Sequence, residues 1–109
     1  MKRKWRPFDQ ETLKKEFATI PHPDQRKLFF AMENYRDNTG IVYVVKNYGD
    51  GLMMIKDRSK GSGRCLFFTV REVEGVEQLV MLIAYKKESD EVPAAVLSTA
   101  RERMNDYAE

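Results

Sequence analysis

Apolar residues recur along the chain first at helical and then at strand spacing, and the change of period divides it. Leu13, Phe17 and Ile20 follow one another at helical spacing behind Asp9. An aspartate there can cap the helix, and Phe8 just before it can pack back on Leu13. Pro21-His22-Pro23 stops this helix and starts the next, because proline suits the first helical turn. Leu28, Phe29, Met32 and Tyr35 form the apolar stripe of the second helix. Asn38-Thr39-Gly40 should end it, with Gly40 as the residue just past the cap.

From residue 41 the pattern changes. Residues 41–46 are β-branched and aromatic and predict a strand. Tyr48-Gly49-Asp50-Gly51 reads as a turn. Three more β-rich runs follow, at 52–56, 64–70 and 78–85, separated by Lys60-Gly61-Ser62-Gly63 and by Glu74-Gly75. The last run is apolar on both faces, which suits an interior strand. A helix over about 93–107 closes the chain, with Leu97, Ala100, Met104 and Tyr107 on one face. Residues 2–8 fit either a short edge strand or a basic arm. Helices and strands that segregate in this way predict an α+β fold with an antiparallel sheet.

The 109-residue length predicts one domain over 1–109. No apolar run reaches the roughly 18 residues of a membrane span, so none is expected. The basic N-terminus is not followed by an apolar segment, so it does not resemble a secretory leader. Cys65 is the only cysteine and cannot form an internal disulfide, which points to a reducing cytoplasm. Inside a strand, Cys65 reads as a small buried hydrophobe.

Net charge is only +2, but its distribution is uneven. Lys2, Arg3, Lys4 and Arg6 crowd the N-terminus, and Lys56, Arg58, Lys60, Arg64 and Arg71 crowd the middle. Acidic residues gather near 72–77, 88–91 and 102–109. One His and one Cys, far apart, offer no metal-ligand spacing, so no metal or cofactor is expected. His22 between two prolines reads as a turn residue, and nothing supports a Ser-His-Asp or Cys-His arrangement. Gly61-Ser62-Gly63-Arg64 lacks the Lys-Ser/Thr close of a phosphate-binding loop.

The remaining chemistry is cationic. Cleaving RNA without a metal needs a base for the 2′-hydroxyl, cations for the phosphate and an acid for the 5′-oxygen. Lys and Tyr can move protons when their pKa values shift, and Arg offers a fork to phosphate oxygens. Lys56, Lys60, Arg64, Tyr85, Lys86 and Lys87 are available. Arg64 opens a strand and shares parity with Leu66, Phe68 and Val70, so it points toward the face they cover. The plainer readings are a strand-end arginine paired with an acid, and lysines that are only solvated.

The order and spacing of these segments also resemble a known family. Gly49-Asp50-Gly51-Leu52, the strand opening Arg64-Cys65-Leu66-Phe67-Phe68, and Ile83-Ala84-Tyr85-Lys86-Lys87 carry the likeness. So do the helix starting at Pro93 and the close Ala100-Arg101-Glu102-Arg103. Over roughly 20–107 the chain resembles the phage-derived HigB-like branch of the RelE/ParE toxin superfamily. The resemblance implies two N-terminal helices against one side of a curved antiparallel sheet, with a C-terminal helix. It implies the toxin of a type II toxin–antitoxin pair, cleaving mRNA on the ribosome, with a helix-turn-helix antitoxin as partner. By the same resemblance, catalysis falls to Lys56 or Lys60, to Arg64, and to Lys86 or Lys87; strand alternation puts Tyr85 and Lys87 on one face, where they could serve as acid and phosphate cation, and so favours Lys87. Arg58, Arg71 and Lys86 would contact RNA. The family's histidine position falls at Ile83 or Ala84, and a further tyrosine position falls near Pro93, so the general base is left unassigned. Two other readings are a non-enzymatic topoisomerase-binding toxin like the ParE branch, and a phage-encoded binding module that kept only the fold.

Overall fold

The computed structural model describes residues 2–71 and 74–108. Asp9 caps the first helix, α1 (Gln10–Ala18), and accepts from the Thr12 N–H at 3.0 Å and the Thr12 hydroxyl at 2.6 Å. The second helix, α2 (His22–Asp37), has Pro23 in its first turn, where the missing N–H costs nothing. It ends at Asn38, whose φ of 55° places it in the left-handed region. The chain therefore turns at Asn38, two residues before the expected Gly40. Asparagine tolerates that conformation better than most residues with a Cβ.

Five strands form one sheet in the order β1-β5-β4-β3-β2. They are β1 (Arg3–Pro7), β2 (Tyr43–Asn47), β3 (Met53–Asp57), β4 (Gly63–Arg71) and β5 (Glu77–Lys86). The four C-terminal strands are antiparallel neighbours, as the sequence predicts. The N-terminal segment is the edge strand of the two readings offered above, and it runs parallel to β5, with Trp5 opposite Leu79. Trp5 explains the docking. Its ring packs on Phe67 at 4.9 Å between centroids, and its Nε1 donates to the Met32 carbonyl at 2.7 Å. Arg3 lies over the Tyr35 ring at 4.7 Å.

The sheet separates two apolar layers. Leu13 of α1, Leu28 and Met32 of α2, and Ile20 between the two helices cover Ile55, Cys65, Phe67 and Leu79. On the other face, Ala100 of α3 (Ala94–Ala108) is buried with Leu52, Met54, Leu66, Val80 and Leu82. Val96, Leu97, Met104 and Tyr107 complete that layer. Leu66 pairs with Ile83 but Phe67 pairs with Met81, so β5 carries one extra residue. The bulge puts Leu82 and Ile83 on the α3 side together and sends Tyr85 to that side as well.

β1 ends at Pro7, which leaves the outer edge of β5 bare beyond it. Glu16 and Arg103 cover this edge. One Glu16 oxygen accepts from the Ala84 N–H at 3.0 Å, and the other accepts from Arg103 at 2.7 Å. Arg103 also donates to the Leu82 carbonyl at 2.8 Å and stacks over Phe8 at 4.7 Å. Among the described residues, no helix is long and apolar enough to cross a membrane. The acidic residues Glu72 and Glu109 lie outside the described residues.

Candidate functional site

Cross-strand register assembles the site on the α3 side of the sheet. Arg64 stands directly opposite Tyr85. The β3–β4 pairing ends with Ile55 opposite Cys65; the next residues, Lys56 and Arg64, fall on the α3 face by alternation and lie close enough for their charges to interact. Val44 pairs with Lys56, and Lys46 sits two residues along β2, on the same face. A row of Lys56, Arg64 and Tyr85 thus crosses three strands. Tyr48 packs into the same layer.

Arg64 is 5% exposed. Its Nη1 donates to the Gly61 carbonyl at 2.8 Å and to the Gly63 carbonyl at 2.9 Å. No described carboxylate comes within ion-pair distance of it, so the reading as an acid-paired strand end does not hold among the described residues. Burial lowers the guanidinium's pKa from its usual value. The carbonyls that hold Arg64 are themselves anchored. Gly63 lies against α2 so closely that a Cβ there would meet Leu28 at 3.2 Å. The Ser62 hydroxyl donates to the Asp24 carboxylate, fixing the loop to the start of α2. The two glycines therefore serve packing and arginine orientation, as parts of one structural unit.

Lys56 is half-buried, and burial lowers its pKa; the charges of Arg64, Lys46 and Lys87 lower it further. Burial pushes the Tyr85 hydroxyl up to about 12, so it stays protonated at any physiological pH. Lys87 follows β5, and its N–H donates to the Ser62 carbonyl at 2.8 Å. Its Nζ lies 2.9 Å from Asp90 in the loop before α3. Lys86 pairs with Gly63 and falls on the opposite face, where its charge bears on Asp24.

The other sequence candidates are dispersed. Lys60 is exposed in the β3–β4 loop. Arg58 lines a shallow hollow of about 390 Å³ with Phe30, Val42, Asp57 and Ser59, apart from the row. Arg71 is exposed at the far end of β4, seven residues from Arg64, or roughly 23 Å along a strand. A second hollow of about 420 Å³ lies between Lys4, Arg6 and Gln78 at the β1 edge. Lys46, Tyr48 and Asp90 join the site without having been singled out in the sequence. For Lys46 the signal was present, since it alternates with Val45 in a strand. Only the β2–β3 register shows which lysine it neighbours.

Cys65 is fully buried, and burial pushes its thiol pKa up, as expected of a structural residue. Tyr48 follows β2 and packs in the α3-side layer, just before the Gly49–Gly51 turn, whose glycines have φ values of 95° and 88°. Arg101 of α3 secures it by donating to the Tyr48 carbonyl at 2.7 Å.

The arrangement offers an amine of lowered pKa, a buried guanidinium and a protonated phenol in one row. Comparison with curated proteins finds no match. A family model matches residues 15–105, from the middle of α1 almost to the end of α3, and so takes in every residue of this row. The chain belongs to the family of phage-derived Gp49-like proteins (DUF891).

Proposed function

We propose that this protein is the toxin of a type II toxin–antitoxin pair and a metal-independent endoribonuclease acting on mRNA at the ribosome, in the cytoplasm. The observation that carries the reading is the Lys56–Arg64–Tyr85 row, which combines the three parts that phosphodiester transfer requires. Phage-derived family membership and the likeness to HigB-like toxins support it. A helix-turn-helix antitoxin is the expected partner.

In the proposed reaction, Lys56, a cation at rest, acts through its base form, which burial and neighbouring cations make easier to reach, and takes the proton of the 2′-hydroxyl as that oxygen attacks phosphorus. The bond from phosphorus to the 5′-oxygen breaks and leaves a 2′,3′-cyclic phosphate. Tyr85 delivers its proton to the departing 5′-oxygen. Solvent then carries the proton from Lys56 back to the phenolate. Arg64 and Lys87 bind the phosphoryl oxygens while charge builds on them. The ribosome holds the mRNA in line, so the protein supplies charge and proton transfer more than positioning.

Inducible expression should arrest growth. Mapped mRNA 5′ ends should accumulate inside translated reading frames and disappear when initiation is blocked. In a reconstituted translation reaction, cleavage should persist under a chelator titrated to spare the ribosome's magnesium. Lys87→Ala and Tyr85→Phe should slow it, while Lys86→Ala should not. Growth arrest with intact mRNA would turn the reading toward a non-enzymatic toxin. Absence of both effects would leave a binding module.

A further inference from the structure

Asp90 stands out as an acid placed against the cationic site. It lies between β5 and α3, in a loop with neither helix nor strand from 87 to 93. Its carboxylate meets the Lys87 Nζ at 2.9 Å, while its side chain is 96% exposed. Lys87 is held in place from the other side by the Ser62 carbonyl, the residue between the two glycines that fix Arg64. One Asp90 carboxylate oxygen thus meets the cation at the edge of a row on which no other described carboxylate forms an ion pair.

We propose that Lys87, Lys56 and Arg64 form a binding site for a phosphoryl group, and that Asp90 is its resident anion, displaced when a phosphate arrives. This rests on the reading of the row as an RNA-cleaving site and adds the group that competes for it. The charge of Asp90 also bears on Lys56, Lys46 and Arg64, which places it within the field of the whole cluster. Hydrogen bonding to Lys87, more than general charge, lowers the Asp90 pKa, so the carboxylate is ionised at neutral pH. An exposed ion pair is weak and breaks at little cost. A displaceable occupant needs that property, and a buried pair would not yield. The flanking Glu88 and Glu91 are exposed, and neither forms an ion pair with the cluster.

The test is a titration of full-length protein with inorganic pyrophosphate, followed through the backbone amides of Arg64 and Lys87 by heteronuclear NMR. Asp90→Asn removes the occupant. Asp106→Asn removes the same charge from the exposed side of α3 and controls for net charge. Asp90→Asn should tighten pyrophosphate binding by roughly threefold or more at low salt relative to Asp106→Asn. In Lys87→Ala protein the same change should gain little. A single-stranded oligoribonucleotide with a 2′-deoxy linkage, titrated in parallel, distinguishes a nucleic-acid phosphate from a free one by which gains more. The inference is overturned if Asp90→Asn binds pyrophosphate no tighter than Asp106→Asn, or if none of the proteins binds it. mRNA cleavage measured on the same proteins keeps the two readings apart. Cleavage without the affinity gain removes only Asp90 as occupant. The affinity gain without cleavage by any of the proteins removes only the nuclease.

Discussion

Arg64 has two roles that pull its substitutions in different directions. Its Nη1 satisfies the Gly61 and Gly63 carbonyls, which frees its other nitrogens for a phosphate. Arg64→Ala leaves those carbonyls without their donor and should cost about 1–3 kcal/mol of stability. Loss of the phosphate contact should slow cleavage about a hundredfold, or roughly 3 kcal/mol in the barrier. Arg64→Lys keeps the charge but not the fork, so it should recover part of the stability and little of the rate. Thermal melts beside toxicity assays separate the two losses, and a folded, fully toxic Arg64→Ala protein would remove Arg64 from the chemistry. Lys56 yields a pH prediction. Burial and neighbouring cations lower its pKa, so the base form grows as pH rises above neutrality. Cleavage should therefore climb with pH from neutrality toward the ordinary lysine range and not fall until Tyr85 loses its proton at about 12. A short RNA substrate followed over that range suffices. A profile that is flat or falls with pH would make another group the base.

The contact between α1, α3 and the end of β5 decides whether the sheet edge beside the site is closed. Arg103 and Glu16 are each about one-fifth exposed and share their bonds with Leu82 and Ala84, the residues flanking Ile83 at the bulge. Arg103→Ala strips a partner from Glu16 and from a backbone carbonyl together. It should cost about 1–3 kcal/mol, against no more than about 0.5 for Arg26→Ala on the exposed face of α2. Denaturant midpoints measure both, and equal values would show that solvent replaces the clamp. The helices and the antiparallel strands were legible in the sequence because each is announced locally, by Asp9, by Pro23, by the turn glycines and by alternation. The parallel docking of β1 was not, since Trp5 finds its partner 74 residues away and no local pattern encodes that register. The bulge at Leu82 was equally silent, yet it decides which face Tyr85 occupies. Parity within one strand was enough to place Arg64, but its neighbours Lys46 and Tyr48 depend on pairing between strands. The Asp90 contact depends on how an irregular loop folds back, and the run Glu88 to Glu91 reads only as acidic in the sequence.

Across the whole molecule the basic residues fall into separate territories, although the net charge is only +2. One is the row around Lys46, Lys56, Arg64 and Lys87. Another is the β1 edge with Lys4 and Arg6, and a third is the exposed pair Arg58 and Lys60 in the β3–β4 connection. A single-stranded RNA releases counterions only where its phosphates lie against fixed cations, so the salt dependence of binding reports which territory the strand follows. Each contacting cation removed should reduce the log–log salt slope by about 0.7. Lys46→Ala, Lys56→Ala and Lys87→Ala should each show that reduction with the 2′-deoxy oligoribonucleotide. Arg71→Ala, at the opposite end of β4, should leave the slope unchanged, as should Lys60→Ala and Arg58→Ala. Lys4→Ala distinguishes a short track from a long one: a reduced slope would mean that the strand continues past the row toward the β1 edge. If the row variants kept the wild-type slope while Lys4→Ala or Lys60→Ala lowered it, RNA would bind away from Arg64. The Lys56–Arg64–Tyr85 row could not then be where a phosphodiester is cut, and its cations would serve the sheet alone.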